Sequence, residues 1–109
     1  LLIGVSGGPD SMGLLHFLLS VRERFVLSLF VAHINHHTRG EENEKEAEMI
    51  RNYCEKHLVP FYIGHFRGKK TGNFQKEARE FRYRFLCELA NKLGANKIAT
   101  AHHRDDLVE

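Results

Sequence analysis

The chain has 109 residues, of which 16 are basic and 14 acidic, and its formal net charge is +2. This is the length of one small domain, and an apolar share of 42% is enough for a folded core. The near-neutral balance gives no global indication of a nucleic-acid partner. No apolar run is long enough to cross a membrane and no secretory signal pattern is present. We therefore expect a cytoplasmic protein with no membrane partner.

Neither end of the chain has the features of a natural terminus. The chain opens on Leu1 rather than Met, and it ends at Glu109 inside a charged segment. We therefore expect residues 1–109 to be one domain, truncated at both ends, of a longer protein.

The first half of the chain alternates apolar runs with amphipathic segments. The run Leu1 to Val5 predicts a buried strand, and apolar spacing predicts a helix over Met12 to Arg24. Val26 to Ile34 predicts a second strand, which the polar loop "NHHTRGEENEKE" follows. A second helix is indicated by four residues at helical spacing: Ala47, Ile50, Cys54 and Leu58.

The second half repeats the same alternation. Pro60 closes the second helix and opens a third strand, Phe61 to Phe66, before the loop "RGKKTGN". Asn73 is a candidate cap for a third helix that Gly94 ends. The buried stripe of this helix is predicted to consist of Ala78, Phe81, Phe85 and Leu89. Lys97 to Ala101 predicts a fourth strand, and "HHRDDLVE" begins another helix.

This order of elements predicts an α/β fold, a parallel sheet with crossover helices on both faces. Ligands of such sheets bind beyond the carboxyl ends of the strands. Three polar segments follow predicted strands: Ser6 to Ser11, His33 to Arg39 and His102 to Asp106. We expect them to share one edge of the sheet.

The turn after the first strand, "SGGPDS", has the composition of a phosphate site. A helix N-terminus attracts phosphate, Gly7 and Gly8 allow close backbone approach, and two serine hydroxyls add donors. Asp10 repels phosphate unless a cation lies between them, so the turn also implies Mg²⁺. The two common glycine-rich phosphate motifs do not fit. The alternative is a tight structural turn with Asp10 or Ser11 as the helix N-cap.

The two cysteines, Cys54 and Cys87, both fall in helical patterns beside apolar residues. We expect both to be small core residues. No C-x-x-C pair exists, so a cysteine zinc site or redox motif has no support. Two buried thiols agree with a reducing compartment.

The segment Ser6 to Ser11 resembles the PP-loop of the N-type ATP pyrophosphatases. Three further stretches, "VAHINHHTRG", "EAREFRYRF" and "IATAHHRDDLVE", resemble the tRNA(Ile)-lysidine synthetases. Together the four motifs span nearly the whole chain in the order expected for that family. The resemblance implies a Rossmann-like fold of the adenine nucleotide alpha hydrolase type.

The resemblance also implies a reaction. ATP adenylates the C2 oxygen of the wobble cytidine in the isoleucine tRNA with a CAU anticodon, and free lysine then displaces AMP to form lysidine. The implied cofactors are ATP and Mg²⁺, and the implied partners are this tRNA, free lysine and, as an option, a second copy of the protein. Members of the family carry later domains that help bind tRNA, and we expect this chain to need them.

The site residues follow from the turn and from the resemblance. ATP binding is predicted for the turn: Ser6, Gly7, Gly8, Pro9, Asp10 and Ser11. The catalytic set is predicted to be Asp10, Arg82, His102 and Asp106. Mg²⁺ is assigned to Asp10 and Asp106.

Arg82 is a forked cation suited to a leaving pyrophosphate. The alternative is a surface arginine paired with a carboxylate one helical turn away. The neighbours at that spacing are Ala78, Arg79, Phe85 and Leu86, none of which is acidic.

Several roles stay open at the remaining positions. Asp106 could hold the lysine ammonium instead of Mg²⁺, and it or Asp105 could cap a helix. A zinc site at His33, His36 and His102 is an alternative with little support from ligand spacing. His103 and Asp105 are expected to be supporting residues.

Two other functions compete with lysidine synthesis. A PP-loop enzyme of tRNA thiolation commonly brings a cysteine pair, whereas Cys54 and Cys87 have core-like positions. A non-catalytic ATP-binding module needs phosphate contacts but no acceptor site, and it leaves "HHRDD" unexplained.

Overall fold

In the computed structural model, four strands and three helices alternate along the described residues, which are 1–6, 8–37, 40–67 and 74–100. The elements are β1 (Leu2–Gly4), α1 (Pro9–Val21), β2 (Phe30–Asn35), α2 (Glu41–Lys56), β3 (Phe61–His65), α3 (Phe74–Leu93) and β4 (Ile98–Thr100). The predicted α/β class is confirmed. None of these helices is long and apolar enough to span a bilayer.

The four strands form one parallel sheet in the order β3-β2-β1-β4. Ile3 in the middle of β1 pairs with Val31 on one side and with Ala99 on the other. The chain thus builds outward from β1 to β3 and then returns to add β4 on the opposite side of β1. The direction of strand addition therefore reverses at β1, which makes the crevice between β1 and β4 the expected ligand position.

Helices cover both faces of the sheet, as the sequence predicts. Ile3 and Val31 pack with Leu15 of α1 and with Ile50 and Cys54 of α2. On the opposite face, Leu2 and Ala32 pack with Leu86 and Ala90 of α3. Successive residues of β1 thus enter different cores, as the twofold alternation of a strand requires.

Helix α1 begins three residues earlier than the predicted Met12. Gly8 is the N-cap and supplies no side-chain hydrogen bond, and Pro9 occupies the first turn, where its missing N–H costs nothing. The alternative in which Asp10 or Ser11 caps this helix is therefore wrong, because both lie within the first turn. The helix ends at Val21 rather than at Arg24.

The second strand is shorter than its apolar run suggests. Val26 has a φ of 53° and is 89% exposed, and the Leu27 N–H donates to the Arg22 carbonyl 2.8 Å away. The backbone here turns back on the end of α1, and ladder pairing begins only at Phe30. The prediction of a strand from Val26 is wrong at its start.

Helix α2 includes the acidic run that the sequence assigned to a loop. It starts at Glu41, and three glutamates occupy its first turn, where the helix dipole favours negative charge. It ends at Lys56, so Leu58 lies outside it with a φ of 58° and 85% exposure. Val59, which is buried, takes the core position that the pattern gave to Leu58.

Helix α3 ends as predicted, since Gly94 has a φ of 72° and Ala95 N–H donates to the Ala90 carbonyl. Its buried face differs in part from the predicted stripe. Ala78 is buried, but the deepest residues are Leu86 and Ala90, whereas the remaining predicted members are only half-buried: Phe81, Phe85 and Leu89. The predicted cap Asn73 lies outside the described residues.

Only one of the two cysteines is a core residue. Cys54 is fully buried, as predicted, but Cys87 is exposed. The prediction for Cys87 is wrong because it follows Leu86, and one residue turns the helix by about 100° away from the buried face.

Gly64 on β3 allows α3 to approach the sheet closely. A Cβ at this position would lie 2.9 Å from Phe85 Cζ and within 3.1 Å of two further ring atoms. We expect Gly64→Ala to lower the free energy of unfolding by about 1–3 kcal/mol through overpacking.

Gly13 in α1 is the matched control, since a Cβ there meets nothing within 4 Å. Gly13→Ala should raise stability by about 0.5–1 kcal/mol, because alanine favours the helix. Urea denaturation of both variants measures the difference, and equal stabilities would contradict the close packing of Phe85 on Gly64.

Candidate active site

The Ser11 hydroxyl holds the loop after β1 in shape. Ser11 is 2% exposed, and its Oγ accepts from the Ser6 backbone N–H at 3.2 Å and donates to the Gly8 carbonyl at 3.1 Å. The Ser6 Oγ lies 3.1 Å from the Ser11 Oγ, so it donates when the Ser11 proton points to Gly8. Ser11 is thus turned into the loop, whereas Ser6 is exposed.

The N-terminus of α1 lies directly after this loop. Asp10 is exposed in the first turn of the helix, where the positive end of the helix dipole favours an anion. Gly8 is extended, with φ −74° and ψ 167°. The predicted ATP-binding residues Ser6, Gly8, Pro9, Asp10 and Ser11 are thereby brought together in space. Gly7 lies outside the described residues.

A cavity of about 560 Å³ opens where the direction of strand addition reverses. The strand ends and the loops after them contribute Gly4, Val5, Ser6, Ala32, Ile34, His36 and Thr100. The helices contribute Asn43, Glu46, Gln75, Ala78, Arg82 and Leu86. This volume is typical of a small-molecule site. The cavity joins Ser6 and Arg82, two residues that the sequence predicted for one site from positions 76 residues apart.

Arg82 faces this cavity from α3 and is half-buried. Its charge acts on His36, which lines the same cavity after β2. Partial burial, His33 and the Arg82 guanidinium together lower the pKa of His36. The cavity therefore presents a permanent cation beside an imidazole that stays neutral at pH 7. Sequence reasoning left the role of His36 open. Its position directly after a strand end was the signal that could have placed it at the site.

His33 has a structural role. It is buried, and its Nδ1 lies 2.8 Å from the Val5 carbonyl, to which it must donate. This bond ties β2 to the residue that follows β1. Within the described part of the chain, no group of three His, Cys, Asp or Glu side chains is arranged to hold a metal ion. The zinc alternative also involves His102, which lies outside that part.

Asn35 shapes the segment that carries His36. It is 1% exposed, its Oδ1 accepts from the His37 backbone N–H at 2.9 Å, and its Nδ2 donates to Glu44 Oε1 at 3.2 Å. The side chain thus links the end of β2 to the first turns of α2. Sequence reasoning did not identify Asn35 as a site residue, because asparagine is common in the loops that follow strands for many structural reasons.

The fourth strand brings its last residue, Thr100, to the cavity wall. His102 and Asp106 lie outside the described residues, so their catalytic and metal-binding roles stay predictions.

The chain has a parallel α/β sheet, a loop with serine and glycine before a helix, and a cavity where the strand order reverses. These features are typical of a nucleotide-binding domain that holds the phosphates at a helix N-terminus. The family comparison agrees with this class. The chain belongs to the PP-loop domain family, whose model matches residues 1–109. This membership implies that the domain uses ATP.

Curated relatives share the whole chain but extend well beyond it. The chain is 39% identical to a tRNA(Ile)-lysidine synthase of Clostridium tetani, covering 100% of the chain and 24% of the relative. It is 41% identical to that of Streptococcus equi subsp. zooepidemicus and 39% identical to that of Geobacillus kaustophilus, in each case over 99% of the chain and 24% of the relative. The chain thus spans about a quarter of the length of these relatives.

The role of Ser11 in holding the loop can be tested by removing its hydroxyl. Ser11→Ala leaves the Ser6 N–H and the Gly8 carbonyl without this partner, so we expect the free energy of unfolding to fall by about 1–2 kcal/mol. Nucleotide affinity should fall as well, because the loop loses its fixed shape.

Ser20 on the same helix is the control. It is exposed, and its Oγ donates to the Phe17 carbonyl at 2.6 Å. Ser20→Ala should change stability by less than about 0.5 kcal/mol and leave nucleotide affinity unchanged. Urea denaturation and ATP titration of the two variants make the comparison, and equal behaviour would refute the assigned role of Ser11.

Proposed function

We propose that this chain is the ATP-binding catalytic domain of a tRNA(Ile)-lysidine synthase. The observation that carries the proposal is the cavity in which the loop after β1, represented by Ser6, meets Arg82 of α3. Both groups suit the phosphates of a nucleotide, and the curated relatives bear the name of this activity.

The proposed reaction has two steps. The C2 oxygen of the wobble cytidine in a CAU-anticodon isoleucine tRNA attacks the α-phosphorus of ATP, and pyrophosphate leaves with the electrons of the broken P–O bond. The lysine ε-amine then attacks C2, loses a proton and displaces AMP. Isoleucine tRNA and free lysine are thus the proposed substrates beside ATP.

The domain's own groups suit the first step. The loop from Ser6 and the N-terminus of α1 bind the phosphates through hydroxyl and backbone donors. Arg82 approaches from α3 and neutralises the charge that develops on the pyrophosphate. His36, neutral beside Arg82, adds no positive charge and can accept a hydrogen bond at the same wall.

The residues present fit a magnesium ion. Asp10 is an exposed carboxylate in the turn that follows the phosphate loop, and hard oxygen ligands of this kind are those that Mg²⁺ uses beside phosphates. Asp10 would hold the ion, with Asp106 as the second proposed ligand. When bound, Mg²⁺ supplies charge neutralisation to the pyrophosphate leaving group.

His102 and Asp106 are proposed to act in the same reaction. We assign Asp106 chiefly to adenylation, and its alternative role is recognition of the lysine ammonium. We further propose that the protein forms a homodimer. Sedimentation of the full-length protein tests this oligomeric state. A cytoplasmic location and the assignment of residues 1–109 to a single catalytic domain likewise stay predictions.

The cysteines argue against thiolation as the alternative. Burial raises the pKa of the Cys54 thiol to about 11, so it is not a nucleophile at neutral pH. Cys87 is exposed on α3 and does not line the cavity. The two therefore do not form a catalytic pair at the proposed ATP site.

A single assay separates the candidate functions. Full-length protein is incubated with ATP, labelled lysine and the isoleucine tRNA. Label in the tRNA, with release of AMP and pyrophosphate, is the expected result. ATP binding without turnover would instead identify a nucleotide-binding module, and turnover without lysine transfer would identify another PP-loop enzyme.

Asp10→Asn tests the magnesium proposal. Loss of the negative charge should slow adenylation by about 100-fold or more, because the ion is no longer held beside the phosphates. Stability should change little, by about 0.3–1 kcal/mol, the size of a charge at a helix end.

Pyrophosphate release in single-turnover experiments measures the Asp10 effect. Glu23→Gln, which removes an exposed carboxylate just beyond α1, is the matched control and should leave the rate unchanged. Near-normal release by Asp10→Asn would refute the assignment.

Arg82→Lys tests the need for a forked cation. Lysine keeps the charge but loses the planar pair of donors, so we expect adenylation to slow by about 10-fold or more with little loss of stability. Arg79→Lys on the exposed face of α3 is the control. If the Arg82 variant reacts as fast as the Arg79 variant, Arg82 has no role in the chemistry.

A further inference from the structure

Two histidines outside the proposed catalytic set form a direct hydrogen bond. His37 Nε2 and His65 Nδ1 are 2.8 Å apart, and the rings stack with centroids 5.0 Å apart and an interplanar angle of 30°. His37 follows β2, and His65 is the last residue of β3. A bond between two ring nitrogens requires one donor and one acceptor, so at least one ring must be neutral.

The backbone is held in an unusual conformation to make this contact. His37 has a φ of 54°, a region that side chains other than glycine enter at a cost. The buried Asn35 stabilises it, because its Oδ1 accepts the His37 N–H while its Nδ2 is held by Glu44. The strand end therefore directs the His37 ring toward β3.

We propose that the His37–His65 pair is a pH-sensitive latch that positions His36 at the cavity. His36 immediately precedes His37 and lines the cavity with Arg82. The latch adds to the Phe66 N–H bond to the Asn35 carbonyl and to the contact between the His36 and Phe66 rings, so breaking it loosens one of the ties between the segment carrying His36 and the end of β3. His37 and His65 act as positioning residues and touch no substrate.

The charges around His37 determine whether the latch is closed or open at neutral pH. Among the described residues, the groups that act on it are Arg67 after β3, His65 on β3 and Glu44 on α2. Partial burial, Arg67 and His65 lower the pKa of His37, and Glu44 opposes them. The latch is therefore closed at neutral pH. The bond survives protonation of one ring, because the other ring still offers a lone pair, and it breaks only when both rings are protonated and two N–H groups face each other. The lowered pKa of His37 moves that doubly protonated state further toward acid pH.

The same titration of His37 makes the folded protein more stable as the pH rises. A histidine with a lowered pKa in the folded state binds fewer protons than in the unfolded chain, so folding stability rises with pH across this window.

Nitrogen-15 NMR of the histidine rings in the full-length protein tests the latch directly. We expect His37 to titrate below the usual pH of about 6.5 and its midpoint to rise in His65→Ala, because a neighbouring cation is removed. An unchanged His37 midpoint in that variant would overturn the proposal. If His65→Ala does not fold, His37→Gly, which accepts the backbone conformation without strain, is the second variant, and a His65 midpoint unchanged from the wild type would then overturn the proposal.

ATP affinity tests the consequence for the cavity, and this arm alone rests on the proposed function. At pH 7.5 the wild type should bind ATP about fivefold more tightly than His65→Ala, the size of one lost hydrogen bond, and this ratio should fall when the pH is lowered to 5. Taking the ratio at each pH removes the titration of ATP itself. A ratio that is the same at both pH values would overturn the positioning role.

His16 provides the control for this ratio. Its Nδ1 lies 3.3 Å from the Tyr53 hydroxyl, and it is exposed on α1 away from the cavity. His16→Ala should bind ATP as the wild type does at both pH values. If no variant and no wild type binds ATP, the proposed function fails, and the NMR midpoints still decide whether the latch exists.

Discussion

The geometry of the site depends on one constraint, the position of β1 between β2 and β4. Leu2 and Ile3 have no exposed surface, and each belongs to a different core, so this strand is fixed from both faces of the sheet. Gly4 completes the constraint, since a Cβ there would lie 2.9 Å from Thr100 Cγ2 on β4. The strand that precedes the loop between Ser6 and Ser11 is therefore held against the strand on the other side of the crevice.

From that fixed strand the site is built by short-range hydrogen bonds. Ser11 closes the loop onto Ser6 and Gly8, and His33 joins β2 to the residue after β1 by donating to the Val5 carbonyl. Asn35 then shapes the start of the next connection. Each of these polar side chains is buried and makes at least one hydrogen bond within the protein, which offsets the cost of burying a polar group.

The charged side chains that line the cavity are one arginine, Arg82, and one carboxylate, Glu46. Arg82 supplies a permanent positive charge, and its field helps to keep His36 neutral. The N-terminus of α1 adds a partial positive charge at the other end of the loop. A nucleotide, with its apolar base and charged phosphates, suits a cavity whose walls include Ala32, Ile34 and Arg82.

The sequence by itself determined the fold class, the order of the elements and the family. Apolar runs alternating with amphipathic segments can bury their faces only as a sheet between helices, and motifs such as Ser6 to Ser11 depend on local order along the chain. The same reasoning from local sequence failed where tertiary contacts determine which residues are buried. Val26 and Leu58 are apolar and fit their patterns, yet both turn into solvent, because the backbone there bonds back to the preceding helix. Cys87 was misplaced because the buried face of α3 is set by Leu86 and Ala90 against the sheet, and helical spacing alone allowed a face rotated by one residue.

Only the tertiary structure decided which polar groups meet. Arg82 reaches the cavity beside His36 because α3 crosses the sheet on the face opposite α1 and α2, and residue types along the chain do not specify that contact. The His37–His65 pair has the same origin, since two parallel strands must end in register before their following side chains can touch. Spacing in sequence predicts which edge of a parallel sheet carries the chemistry, whereas strand order, register and helix face determine which atoms come within bonding distance.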